Sequence, residues 1–269
     1  MKKLLSLIIL VLTCTKTFAI APWRDYLVTP TDMGITNVKY HTITTADDKA
    51  LQAWIFNADA KMKKNITLVF AYGDYGNMSQ WILPAVDLSK YGYDVVCFDY
   101  RGFGGSADFP MDESYLYYHE FALDLEATVR WAKQQYAGQK LGVLAFSTGS
   151  LIAVEALQKV SVDFLVADGF IINIERFKKL YQDPASPLKL PAKTTQTLEQ
   201  MKALKTPLLI FAGSRDKYVA VNEIHDFVSL NRNKRELGIY NGLHAESLWV
   251  LRDKWIARLD LFLKNKALK

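Results

Sequence analysis

A serine, two candidate carboxylates and a histidine stand where a nucleophilic site could form. Ser147 follows an apolar run, residues 141–146, in "GVLAFSTGS" (142–150). It precedes "LIAVEALQKV", in which Leu151, Ile152, Val154 and Leu157 recur at helical spacing. The chain therefore runs strand, abrupt turn, helix, with a serine at the apex. Asp168 ends "DFLVADG", Asp216 lies in "GSRDKYV" and His244 in "NGLHAES". A serine hydroxyl is a poor nucleophile until an adjacent imidazole takes its proton. A buried carboxylate fixes the imidazole tautomer, and the oxyanion that develops on a substrate needs preorganised N–H donors. Serine is also favoured as a helix N-cap, but Glu155 lies too far along to complete a capping box. Of the other histidines, His41 falls in an edge-strand pattern, His119 at the start of a long helical pattern and His225 inside another.

These residues are ordered by the elements that must carry them. Short apolar runs read as strands at 65–72, 93–100, 140–146, 163–169 and 206–213, with a weaker sixth at 235–241. Their lack of alternation suits parallel strands buried on both faces. The segments 38–45 and 50–56 alternate more and suit an antiparallel edge hairpin around "ADDK". Helical patterns fill 79–91, 120–136, 150–160, 222–230 and 247–265. Strand–helix alternation over this length predicts an α/β three-layer sandwich with a mainly parallel sheet. Sites in such sheets lie beyond the carboxyl ends of strands. Glycine-bearing turns, "YGDYGNM" (72–78) and "DYRGFGGS" (99–106), follow the first two runs, and Ser147, Asp168, Asp216 and His244 follow the others in that order.

The first 19 residues, with Lys2 and Lys3 before an apolar run and small residues at Thr17 and Ala19, read as a secretory signal. Cleavage is expected after Ala19, with Ala21 a second candidate ahead of Pro22. An uncleaved membrane anchor and a lipoprotein site at Cys14 are the rival readings. Processing would remove three lysines and no acid, taking the net charge from +5 to +2. A near-balanced chain with dispersed cations argues against nucleic acid or an acidic polymer as partner. Cys97 alone would remain, in an apolar run where it reads as a small buried hydrophobe. Residues 20–269 are expected to form one domain, with a lid-like insertion at about 170–200 around the Pro-rich, polar stretch 181–197. No metal-ligand spacing, phosphate loop or dinucleotide fingerprint occurs, so neither metal nor cofactor is expected.

In their order, "LVFAYGDYGNM", "FDYRGFGGS", "FSTGS", "GSRDKYV" and "NGLHAES" resemble serine α/β-hydrolases of the BEM46-like and serine-aminopeptidase-like group. The resemblance runs from about Val38 to the C-terminus. It implies an α/β-hydrolase fold, with a mainly parallel twisted sheet flanked by helices on both faces and a short lid. It implies Ser147 as nucleophile, Asp216 as acid and His244 as base, with the backbone N–H groups of Asp74 and Thr148 as oxyanion donors. The activity implied is hydrolysis of a small ester or acyl substrate without a cofactor, an esterase before a peptidase, any membrane contact being limited to an uncleaved N-terminus. The chain departs from the pattern at Ala145, where the elbow usually has glycine, and at Tyr72, where the group has a histidine that braces the oxyanion loop. Asp74 is a third departure: its carboxylate would oppose an anionic transition state unless it pointed outward as a turn residue. A non-catalytic binding protein on the same fold, and an aminopeptidase-like peptidase, are the alternative readings.

Overall fold

The computed structural model describes residues 19–180, 187–192 and 194–268. A short strand, β1 (Ala21–Pro22), precedes the hairpin β2 (Val38–Thr44) and β3 (Ala50–Phe56). β4 (Ile66–Ala71) leads through β5 (Tyr75–Gly76) and a 3-10 turn (Met78–Trp81) into α1 (Ile82–Lys90). Then come β6 (Asp94–Phe98), α2 (Tyr118–Gln135), β7 (Lys140–Phe146), α3 (Gly149–Ala156) and β8 (Phe164–Asp168). After α4 (Ile174–Leu180) and α5 (Thr194–Ala203), the chain closes with β9 (Leu208–Gly213), α6 (Val221–Ser229), β10 (Arg235–Tyr240), α7 (Ser247–Leu251) and α8 (Asp253–Phe262).

Every residue of β4, β6, β8 and β9 is buried, which is why these strands are near-continuous apolar runs. β10 is largely half-exposed, and its sequence signal is correspondingly weaker. The eight-stranded sheet has the order β10-β9-β8-β7-β4-β6-β3-β2. β2–β3 and β3–β6 pair antiparallel, and the remaining pairs are parallel. The crossover from β4 to β6 steps toward the hairpin, whereas those from β6 to β7 and onward step the other way. Right-handed crossovers therefore put α1 on one face and α2, α3 and α6 on the other. α2, α3 and α5 pack on one another, and Tyr91 at the end of α1 donates a hydrogen bond to Asp253 of α8. The reversal of strand order places the carboxyl ends of β4 and β7 at the switch point, where such sheets hold ligands.

Two expectations are corrected. The pattern at 247–265 is two helices, broken at Arg252 with φ +48°. α7 must keep Ser247 N–H on Asp168, while α8 must bury Trp255, Leu259 and Phe262, and one straight helix does not do both. The stretch 181–197 is not all loop, because Thr194 begins α5. Its hydroxyl donates to Pro191 O, and Thr197 and Met201 are buried, so packing overrides polar composition. Residues 181–186 and 193 of the expected lid-like insertion, and residues 1–18 of the expected signal at 1–19, Cys14 among them, lie outside the described residues. Ala19 and Ile20 are buried and donate both N–H groups to Glu113 O.

Candidate active site

Ser147 sits on a strained turn between β7 and α3. Its φ is +55°, a left-handed conformation that costs an L-residue about 1–2 kcal/mol. Ser147 N–H donates to Asp168 O at 2.9 Å, which ties the turn to the neighbouring strand end. Gly149 explains why the helix can start so close: a Cβ there would stand 1.9 Å from Ala71 O. Ala145, in place of the usual first glycine, is fully buried and lies opposite Ala71 in the ladder, where its methyl group is accommodated. The Ser147 side chain is not a helix cap. Its Oγ lies 2.8 Å from His244 Nε2, and His244 Nδ1 lies 2.7 Å from Asp216 Oδ2.

The supports of this relay come from separate strand ends. The Asp216 side chain is fully buried, and its other oxygen accepts the N–H groups of Tyr218 and Val219 at 2.8 and 3.0 Å. That leaves one oxygen aimed at the imidazole. Asp168, the rival acid, faces elsewhere. It accepts Ser247 N–H at 2.7 Å and lies 3.0 Å from the Tyr240 hydroxyl, which in turn takes Glu246 N–H. These contacts pin both ends of the turn carrying His244. Burial pushes the Asp168 carboxyl up to about 6. A Cβ on Gly169 would stand 2.5 Å from His244 Cε1, so only glycine leaves room for the ring there.

Tyr72 provides a brace of its own. Its hydroxyl donates to Asp99 Oδ1 at 2.9 Å, and the same carboxylate accepts Met78 N–H at 2.7 Å and the Tyr26 hydroxyl at 2.8 Å. Burial pushes Asp99 up to about 6. β1 pairs parallel to β5, with Ala21 N–H on Asp74 O and Trp23 N–H on Gly76 O, so an N-terminal strap fixes the loop from its other side. Among the described residues, no backbone carbonyl accepts the N–H of Asp74 or of Thr148. Asp74 is half-buried rather than turned out to solvent. Burial pushes its carboxyl up to about 6, against the pull of nearby donors, and it lies within electrostatic reach of His244 and Tyr218. The Thr148 hydroxyl is buried beside Gly73 and Ser147, and with the N–H of Asp74 itself it is among the donors near the Asp74 carboxyl.

The structure thus brings Ser147, His244 and Asp216 together, with Asp74 and Thr148 flanking the nucleophile. Asp99, Tyr26 and the strap were not singled out from the sequence. The one signal available was an aspartate at the end of β6, since a charge closing an apolar strand is costly unless it is bonded. Among the described residues, no cluster of His, Cys, Asp and Glu is placed to hold a metal ion.

Comparison with known proteins follows the same lines. A family described as alpha/beta hydrolase fold matches residues 66–170. An esterase of Pyrococcus furiosus is 26% identical, covering 92% of this chain and all of its own, with a TM-score of 0.71. The chain has the α/β-hydrolase fold. Among relatives of this α/β-hydrolase-fold chain, an acyl transferase of Shewanella woodyi is 25% identical over 247 residues, 79% of this chain and 80% of the relative. A proline iminopeptidase of Saccharolobus solfataricus is 33% identical over 92 residues, 34% of this chain and 28% of the relative.

Proposed function

We propose that this protein is a serine hydrolase that cleaves a carboxylic ester, thioester or amide through an acyl-enzyme, an ester before a peptide bond. The observation that carries the reading is the hydrogen-bonded series Ser147 Oγ, His244 Nε2 and Nδ1, Asp216 Oδ2, at 2.8 and 2.7 Å. Ser147 Oγ attacks the carbonyl carbon as His244 Nε2 takes its proton. Asp216 holds the imidazole in the tautomer with the proton on Nδ1 and stabilises the imidazolium. The N–H groups of Asp74 and Thr148 receive the oxyanion, a contribution of about 3–4 kcal/mol for one such donor in a serine protease. Collapse expels the alcohol, thiol or amine, which takes the proton from His244. Water then attacks the acyl group by the same relay, regenerating Ser147 Oγ–H and releasing the acid.

The similarity to an acyl transferase supports a second fate for the acyl-enzyme, transfer to a hydroxyl or thiol acceptor in place of water. We assign the chain to the BEM46-like and serine-aminopeptidase-like group, on its motif order, and to the exported proteins of its cell, on its N-terminal segment. The mass of the mature N-terminus tests the latter.

Intact mass after exposure to a short-chain fluorophosphonate tests the nucleophile. One adduct is expected on the wild type and none on Ser147→Ala. A folded wild type that takes no adduct overturns the hydrolase reading in favour of a non-catalytic binding protein.

A further inference from the structure

Both loops that serve the site continue into helices on the same face of the sheet, and those helices leave a groove between them. The oxyanion loop runs into α1, and the His244 turn runs into α7 and α8. Between them lies a cavity of about 580 Å³, within the range of small-molecule pockets, lined by Leu83, Leu88, Leu248, Trp249 and Ile256. Its upper end is joined to the residue before the nucleophile by a run of ring contacts. The Trp81 ring lies 4.4 Å from Phe146, the residue before Ser147, and 5.3 Å from Trp249 at the cavity mouth.

Three features define what fits. Leu83 and Trp249 are 61% and 47% exposed, so two large apolar side chains at the mouth stand open to solvent. The charges on the wall balance: Asp87 and Asp253 face Lys90 and Arg252, leaving no net charge to draw an ionic ligand. The far end is polar, where Lys90 pairs with Asp87 at 3.6 Å and Tyr91 donates to Asp253 at 2.6 Å. From Leu83 to Leu88 the helix rises about 8 Å, which sets the length of the apolar stretch. The Trp81 indole N–H is buried without a partner among the described residues, a donor that a substrate oxygen entering this corner would satisfy.

We propose that the groove between α1 and α7–α8 is the acyl-chain subsite, taking an unbranched medium-length acyl group of about eight carbons. The proposal rests on Ser147 being the nucleophile and adds the class of substrate. The carbonyl end sits at Ser147, and the chain passes Trp81 and Trp249 and ends before the Tyr91–Asp253 contact. Each methylene buried there strengthens binding roughly three- to fourfold at most.

Binding and turnover test it separately. Octanoate, titrated calorimetrically, is expected to bind the wild type and acetate is not. Leu83→Arg, at an exposed position, should weaken octanoate binding at least tenfold, while Leu123→Arg on α2 leaves it unchanged. With p-nitrophenyl esters, the wild type should prefer octanoyl over acetyl at least tenfold in kcat/KM, and Leu83→Arg should lose that preference yet keep acetyl turnover. No octanoate binding, or equal binding by Leu83→Arg, overturns the groove even where the short fluorophosphonate labels Ser147. Octanoate binding without labelling supports the groove and sinks the nucleophile, so the two failures are distinguishable.

Discussion

Asp74 is the residue on which the chemistry turns. Its N–H is proposed to stabilise a negative charge that its own carboxylate, when ionised, opposes. Its carboxyl titrates at about 6, so above that pH the anion is present and below it is not. The ionised form should therefore depress turnover at neutral and alkaline pH. Asp74→Asn removes the charge and keeps the shape. We expect kcat to rise about tenfold at pH 8, the equivalent of about 1.4 kcal/mol, and to change little at pH 5. A pH–rate profile of both proteins checks this. A loss at every pH would mean that the carboxylate assists the reaction.

At the scale of elements, the His244 turn is held through Asp168 rather than by its own sequence. Asp168→Asn retains one acceptor for two donors, Ser247 N–H and the Tyr240 hydroxyl. The variant should lose about 1–3 kcal/mol of stability, read by thermal melting. Fluorophosphonate labelling should slow modestly with it, whereas Asp216→Asn should nearly abolish labelling in a stably folded protein. The reverse ranking would make Asp168 the acid. The strands and most helices were legible because a parallel strand buried on both faces must be largely apolar, as β4 and β9 are. Ser147 was legible because it follows such a strand, and His244 because it follows the weaker apolar pattern of β10. The break at Arg252 was not, since the apolar stripe runs on through both helices and the bend is required by tertiary contacts, Ser247 N–H on Asp168 and the burial of Trp255. Nor was the Asp99 hub, whose partners Tyr26, Tyr72 and Met78 come from separate stretches of chain and share no local pattern.

At the scale of the whole molecule, sequence-distant contacts complete the site. Arg101 is buried between Asp124 and Asp47, joining the turn after β6 to α2 and to the hairpin loop. Its guanidinium holds Asp47 down at about 2, so that ion pair survives mild acid. The strap also bears on timing. Ala21 and Trp23 are made well before the backbone they grip, Asp74 to Gly76, and Ile20 well before its acceptor, Glu113. Contacts of such sequence separation form late, after their loop-closure entropy has been met. Catalytic competence should therefore lag behind helix formation in refolding: far-UV ellipticity returns first and Ser147 labelling follows in a slower phase. Recovery of both signals with one rate constant would mean that the strap docks with the nucleus. A slower labelling phase would mean that newly made protein passes through a folded but idle interval before it can react.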